Sequence, residues 1–431
     1  MEIRVFTAFS GYDSQCMALD RLHQHNPDFT YELVGWAEID KYAIQAHNAV
    51  YPQWAERNYG DISKIDWAQV PDFDLFTYSS PCQDFSQAGK QAGGTEGSGT
   101  RSSLLWECRR AILAKRPKYL LMENVAALVS QKFIRLFNAW QLELESYGYR
   151  NFAKVLNAKD YGVPQNRERI FMVSVLDEAA RYEFPDPMPL TIRLKDVLEK
   201  EVEERYYLKA DALDGYKPSE KAGNGAVNVV GELQADNRWD GKTIRQQNFV
   251  IGTDKCSMSI TAEHLRHEFK IADPVVLGWV RDEKGNVVKR PPVEVANCVT
   301  SGKRDNTQNY VAEPRIIVAG ETDAVTSIHR YCREYLDSAG ISKAVCSAAG
   351  MGGNMEIKVQ EPITYRIRKL TERECFRLMD MPEEYIDRIQ AAGISRSQQY
   401  KMAGNSIVVA CMYHIWRKLF IDTKIKTLTL F

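Results

Sequence analysis

Over residues 1–180 short apolar runs alternate with helix-like segments, and each run ends in a polar or glycine-bearing corner. Strand-like runs at residues 3–9, 31–36, 73–78, 119–122 and 170–174 alternate with helical periodicity at 14–25, 41–50, 102–115 and 133–147. That rhythm predicts a doubly wound α/β unit, a parallel sheet with helices on both faces. Such a sheet carries its site just beyond its strand ends. The residues waiting there are Ser10-Gly11, Glu38, Ser79-Ser80-Pro81-Cys82 and Glu123-Asn124, with Gln165-Asn166-Arg167-Glu168-Arg169 ahead of the last strand.

The rhythm breaks at the prolines of residues 185–189. Residues 190–355 are polar and irregular, with short strand candidates at 227–230 and 275–279 and glycine-rich turns at 223–231 and 350–353. So long a stretch, with this many apolar residues, predicts an inserted second domain rather than a linker. Helical periodicity returns at 371–379 and 407–420, and the last helix has to pack back on the first unit. The expected division is therefore 1–189, 190–355 and 356–431.

A chain of 431 residues exceeds the usual reach of a single core. With 44% apolar and 26% charged residues, global disorder is excluded. The 56 basic and 57 acidic side chains give a net charge of -1, which neither announces nor excludes a nucleic-acid partner. Nine cysteines without a CxxC pair form neither a disulfide framework nor a zinc cluster, so no metal is expected. No basic leader and no apolar run of ~20 residues occurs, so no membrane span is expected and the cytoplasm is the expected compartment.

A lone thiol is usually a small buried hydrophobe. Cys82 differs in its setting, because it follows a strand directly and opens a segment containing Gly89, Gly93, Gly94, Gly97 and Gly99. A strand-end cysteine under a flexible segment suits a nucleophile beneath a moving lid. Taken singly, Glu123 could be a helix-start carboxylate, and Arg167 or Arg169 a surface ion-pair partner. Strand ends that converge would instead assemble a thiolate, a carboxyl and two guanidiniums in one crevice.

These blocks, in this order, resemble the DNA cytosine-5 methyltransferases of bacterial and phage modification systems. The resemblance rests on Phe9-Ser10-Gly11, Pro81-Cys82-Gln83-Asp84-Phe85-Ser86, Glu123-Asn124-Val125, Gln165-Asn166-Arg167-Glu168-Arg169, Arg368-Lys369-Leu370-Thr371-Glu372-Arg373-Glu374-Cys375 and Gly404-Asn405-Ser406. It implies a Rossmann-like doubly wound methyltransferase domain with a smaller, irregular inserted target-recognition domain. It further implies that the Cys82 thiolate adds to carbon 6 of a cytosine, making carbon 5 nucleophilic toward a methyl donor. By the same resemblance Glu123 contacts ring nitrogen 3 and the exocyclic amine. Arg169 holds the carbonyl oxygen, and Arg167 supports that region. The cytosine must be rotated out of the duplex, at a cost of a few kcal/mol. Residues 84–100 match the family's mobile loop, which would bring Phe85, Ser86 and Gln87 near the DNA.

The implied methyl donor is S-adenosylmethionine, leaving S-adenosylhomocysteine. The turn at Gly11 would approach it, with Glu38 on the ribose, Ile39 and Phe9 against the adenine, and Asp61 on its amino group. Pro81, Asn405 and Ser406 would border the pocket. Asp13 departs from the pattern, since many members carry a glycine there; its carboxylate is expected to bind a backbone amide or the donor's ammonium group. Lys242, Arg245, Arg304 and Asn306 are candidates for reading base edges, whereas Lys90, Arg101, Arg396 and Lys401 are candidates for phosphates. Double-stranded DNA is the expected partner, a cognate restriction endonuclease is a candidate second one, and the chain is expected to act as a monomer. Relatives that methylate transfer RNA share much of this site, and the long insert favours DNA. A catalytically silent DNA-binding protein is the alternative that the intact Cys82, Glu123, Arg167 and Arg169 oppose.

Overall fold

The computed structural model describes residues 1–81, 101–207 and 368–422, and the backbone of short strands between 216 and 360; at 101–103 only the backbone is described. Cys82, Phe85, Ser86, Gln87, Lys90, Lys242, Arg245, Arg304 and Asn306, and the side chain of Arg101, lie outside the described residues.

Seven strands lie in the first part of the chain: β1 (Glu2–Ala8), β2 (Thr30–Ala37), β3 (Leu75–Tyr78), β4 (Tyr119–Val125), β5 (Arg150–Asn157), β6 (Gln165–Asn166) and β7 (Glu168–Val175). All but β6 form one sheet in the order β2-β1-β3-β4-β7-β5. Side chains alternate between its faces. Ile3 and Val5 join one core, and Phe6 and Ala8 the other. The first core is covered by α1 (Ser14–His25), α2 (Lys41–Val50) and the C-terminal helices. The second is covered by α3 (Cys108–Lys115) and α4 (Ile134–Ser146). The α/β reading of the alternation therefore holds.

One strand, β7, does not follow the parallel expectation. β2, β1, β3 and β4 are parallel, while β7 runs antiparallel to both β4 and β5. Glu123 and Asn124 lie inside β4, and Arg169 lies inside β7, rather than beyond the strand ends. The edge strand β5 has no counterpart in the sequence reading, because only its last two residues are buried and no apolar run marks it. The segment expected to be helical from 102 begins as a 3-10 turn at Arg101–Glu107 before α3.

The C-terminal segment forms α5 (Glu372–Arg377), α6 (Glu383–Ala391), α7 (Arg396–Asn405) and α8 (Val409–Arg417). Thr371 and Glu374 make a reciprocal capping box at the start of α5. Beyond α8, Phe420 stacks on Phe29 and Trp416, so the end of the chain packs back as expected. Burying a side chain such as Phe420 contributes about 1.5–3 kcal/mol.

Tyr207 bridges Arg368, on the two sides of residues 208–367. Arg368–Lys369 pairs with Lys270–Ala272, the next strand in a sheet that continues through Phe249–Gly252, Val229–Leu233 and Tyr216–Pro218. Among the described residues no helix is long and apolar enough to cross a membrane, and no acidic, histidine or cysteine cluster could hold a metal ion.

Candidate active site

The antiparallel direction of β7 brings two candidate catalytic residues, Glu123 and Arg169, together. Its first residues meet the far end of β4, so Arg169 pairs in register with Val125. The Arg169 side chain reaches back to Glu123, with Nε 3.1 Å from Oε1. Glu123 is only 8% exposed, and burial pushes its carboxyl above the ordinary glutamate range, against the pull of Arg169 and then of Arg167. A buried carboxyl held near a guanidinium can accept or share a proton with a bound base.

Arg167 does not line up beside Arg169. It is buried, and its Nη2 donates to the carbonyls of Gly404 at 3.1 Å and Ser406 at 2.6 Å. The Ser406 hydroxyl in turn accepts from Tyr12 OH on the turn after β1. Arg167 thus ties the C-terminal segment to the strand that bears Arg169. Asn124 makes a second tie, donating from Nδ2 to the Ser80 carbonyl at 3.1 Å. That bond fixes the chain two residues before position 82 against the strand that carries Glu123. The motif blocks included Asn124 but not Tyr12, and they gave no sign of either partner, which lie 44 and 394 positions away.

The described free cysteines Cys16, Cys108, Cys375 and Cys411 are all buried, and burial raises each thiol's pKa. Buried thiols of raised pKa make poor nucleophiles.

The candidate donor residues Phe9, Gly11, Glu38 and Ile39 lie on the corners after β1 and β2. Glu38 Oε2 accepts from the Gly11 amide at 2.9 Å, and Oε1 accepts from the amides of Ile39 at 2.8 Å and Asp40 at 2.9 Å. A carboxylate has about four acceptor positions, so Glu38 keeps capacity for a further donor such as a hydroxyl. Ile39 is 70% exposed, an apolar side chain left bare beside these polar groups. Gly11 has a φ of +59°, and a side chain there would project into open space. Phe9 is half-buried on the same corner, also with a positive φ. Asp61 caps the turn Ile62–Lys64, and its bonds with Ser63 hold its carboxyl below the usual range. Pro81 and Ser406 are half-buried and Asn405 is exposed at the end of α7. Open space, a bare apolar face and two acceptor carboxylates fit a nucleoside with a cationic tail.

Two expectations about single residues are narrowed. Asp13 is fully buried and caps α1 through the Cys16 amide, so the backbone-amide reading holds and the ammonium reading does not. Lys401 pairs with Asp40, and Arg396 Nε lies 2.6 Å from Glu372 while its guanidinium covers the Tyr206 ring. Both cations expected at phosphates are thus already matched by carboxylates.

The comparisons agree with this geometry. The profile for C-5 cytosine-specific DNA methylase matches residues 3–420. The orphan methyltransferase M.SPRI of Bacillus phage SPR is 30% identical over 465 aligned residues, covering 97% of each chain. Type II methyltransferase M2.ScrFI of Lactococcus lactis subsp. cremoris is 38% identical over 258 residues, 48% of this chain and 70% of that one. In fold the chain is similar to the Entamoeba histolytica methyltransferase EhMeth, with a TM-score of 0.58, 14% identity, and 98% and 99% of the two chains covered. Motif order, sheet topology and full-length similarity converge: the chain belongs to the C-5 cytosine-specific DNA methylases, enzymes that use S-adenosylmethionine as methyl donor.

Proposed function

We propose that this enzyme methylates a cytosine flipped out of a specific double-stranded DNA sequence, through a covalent bond between Cys82 and carbon 6. The observation that carries this reading is the Glu123–Arg169 pair, set beside the point where Asn124 holds the chain leading to Cys82. The Cys82 thiolate adds to carbon 6 while Glu123 supports ring nitrogen 3 and the exocyclic amine. Arg169 holds the carbonyl oxygen, and Arg167 keeps the C-terminal segment in place. S-adenosylmethionine would supply the methyl group to carbon 5, leaving S-adenosylhomocysteine, and a water-derived base would take the carbon 5 proton as the thiolate leaves carbon 6. Glu38, Ile39, Phe9, Gly11 and Asp61 hold the donor, bordered by Pro81, Asn405 and Ser406.

In this reading residues 1–189 and 356–431 form the catalytic unit, and residues 190–355 deliver the target, with Lys242, Arg245, Arg304 and Asn306 as base-reading candidates. Phe85, Ser86 and Gln87 close over the flipped nucleotide. The enzyme works as a monomer in a bacterial or phage-infected cytoplasm, with or without a cognate endonuclease. Bisulfite sequencing of a methylation-free host expressing the chain tests the reading and identifies the target. Duplexes carrying 5-fluorocytosine at that target should then trap a donor-dependent adduct with the wild-type protein and none with Cys82→Ser. Methyl transfer to transfer RNA but not to duplex DNA would overturn the substrate assignment.

A further inference from the structure

We propose that Asp13 is a positioning residue for the methyl donor, holding the Gly11 corner in the shape that Glu38 requires. The inference rests on the donor-site reading above. Asp13 adopts φ 68° and ψ 57°, a left-handed conformation that most side-chain-bearing residues avoid and that Asp and Asn tolerate best. It is nevertheless fully buried, where an unmatched carboxylate is costly. Such a combination persists only where surrounding contacts dictate it.

Those contacts reach three elements. Asp13 Oδ2 accepts from the Thr7 hydroxyl on β1 at 2.8 Å, and Oδ1 accepts from the Cys16 amide in the first turn of α1 at 3.2 Å. The third element is α2, whose His47 places Nε2 3.6 Å from Oδ2, with both side chains fully buried. The His47 ring lies 3.7 Å, centroid to centroid, from the indole of Trp36, two residues before Glu38 on the second corner. The Asp13 amide also donates to the Ser10 carbonyl at 2.8 Å, and the Phe9 amide donates to Ala37 at 2.9 Å. One buried network therefore spans the corner that presents the Gly11 amide and the corner that presents Glu38. Because Asp13 has no exposed surface, it acts through Gly11 and Glu38 and not by touching the donor.

The test uses the full chain, with S-adenosylmethionine titrated in steady-state assays and S-adenosylhomocysteine in calorimetry. Asp13→Gly relaxes the backbone but deletes the carboxylate. It should raise KM for S-adenosylmethionine and Kd for S-adenosylhomocysteine by about tenfold, with kcat at saturating donor within about twofold. Asp13→Asn keeps a side-chain acceptor and tolerates the left-handed backbone, so it should restore both constants to within about threefold of wild type. A merely structural role would lower thermal stability while leaving the KM-to-kcat ratio unchanged, and that result overturns the proposal. Should Asp13→Gly fail to fold, Thr7→Val removes one bond to the carboxylate, and unchanged donor affinity there overturns it equally. Glu38→Ala separates the two levels: lost donor binding upholds the donor site, whereas retained binding sinks that site and the positioning role with it.

Discussion

Arg169 Nε stands 3.1 Å from Glu123 Oε1, although the two residues belong to strands that run in opposite directions. This ion pair is a consequence of that antiparallel pairing. A parallel β7 would have delivered Arg169 to the other end of the sheet. The pair lies in low-dielectric surroundings, where each group is sensitive to loss of the other.

Replacing Arg169 by Ala leaves the burial of Glu123 opposed only by the more weakly acting Arg167. The Glu123 carboxyl should then ionise at still higher pH, because burial raises its pKa and Arg169 is the stronger of the two guanidiniums that lower it. Rates of adduct formation on 5-fluorocytosine duplexes, followed across pH, should show the Glu123-dependent limb displaced upward. Glu123→Gln should erase that limb and slow the reaction about a hundredfold or more.

Arg167 holds the carbonyls of Gly404 and Ser406, and Tyr12 holds the Ser406 hydroxyl. Tyr12→Phe keeps the ring that meets Phe376 edge-on but removes the hydroxyl. Donor KM should rise by about threefold to tenfold with little change in melting temperature, since one hydrogen bond contributes about 0.5–1.5 kcal/mol. Arg167→Met should be far more damaging, as it strips partners from two carbonyls; the comparison is read from donor titrations and thermal melts of both variants.

Asn124 anchors Ser80. Asn124→Ala leaves the Ser80 carbonyl without that donor and loosens the approach to Cys82. Adduct formation should slow by about tenfold or more while donor affinity stays within about twofold, because misplacing a reacting group penalises the chemical step. Single-turnover trapping and donor calorimetry check the two halves.

Glu374 accepts from Arg368 Nη1 and Nη2 at 2.8 Å and from the Thr371 amide at 2.8 Å. Glu374→Ala leaves Arg368 buried without this carboxylate and should cost about 3–5 kcal/mol. Urea unfolding of the variant and the parent measures it.

His414 is pushed down to about 4 by burial, Arg417 and Arg21. Below about pH 6.5 the unfolded chain takes up a proton that the folded chain refuses, so stability is lost as pH falls toward 4. Partial solvent access limits the effect to the order of 1 kcal/mol. Melting temperatures between pH 7 and 5 should fall more steeply for the parent than for His414→Phe.

Local pattern alone determined the alternation of elements: the boundaries of α1 and α2 follow directly from periodicity, and periodicity over 371–379 marks the place of α5. The order of the motif blocks determined the family, and the resemblance implied Glu123 and Arg169 at the base and Glu38 and Gly11 at the methyl donor. Only the tertiary structure decided how they meet. Strand direction is not written in a strand's own residues, so β7 reversed without warning, and β5 was invisible because an edge strand buries little. Asp13 could have faced the donor or the backbone, and burial against Thr7 and His47 sent it inward. Arg167, expected beside Arg169, was drawn to carbonyls more than 200 residues later, because an arginine pairs with whichever oxygens the fold brings within reach.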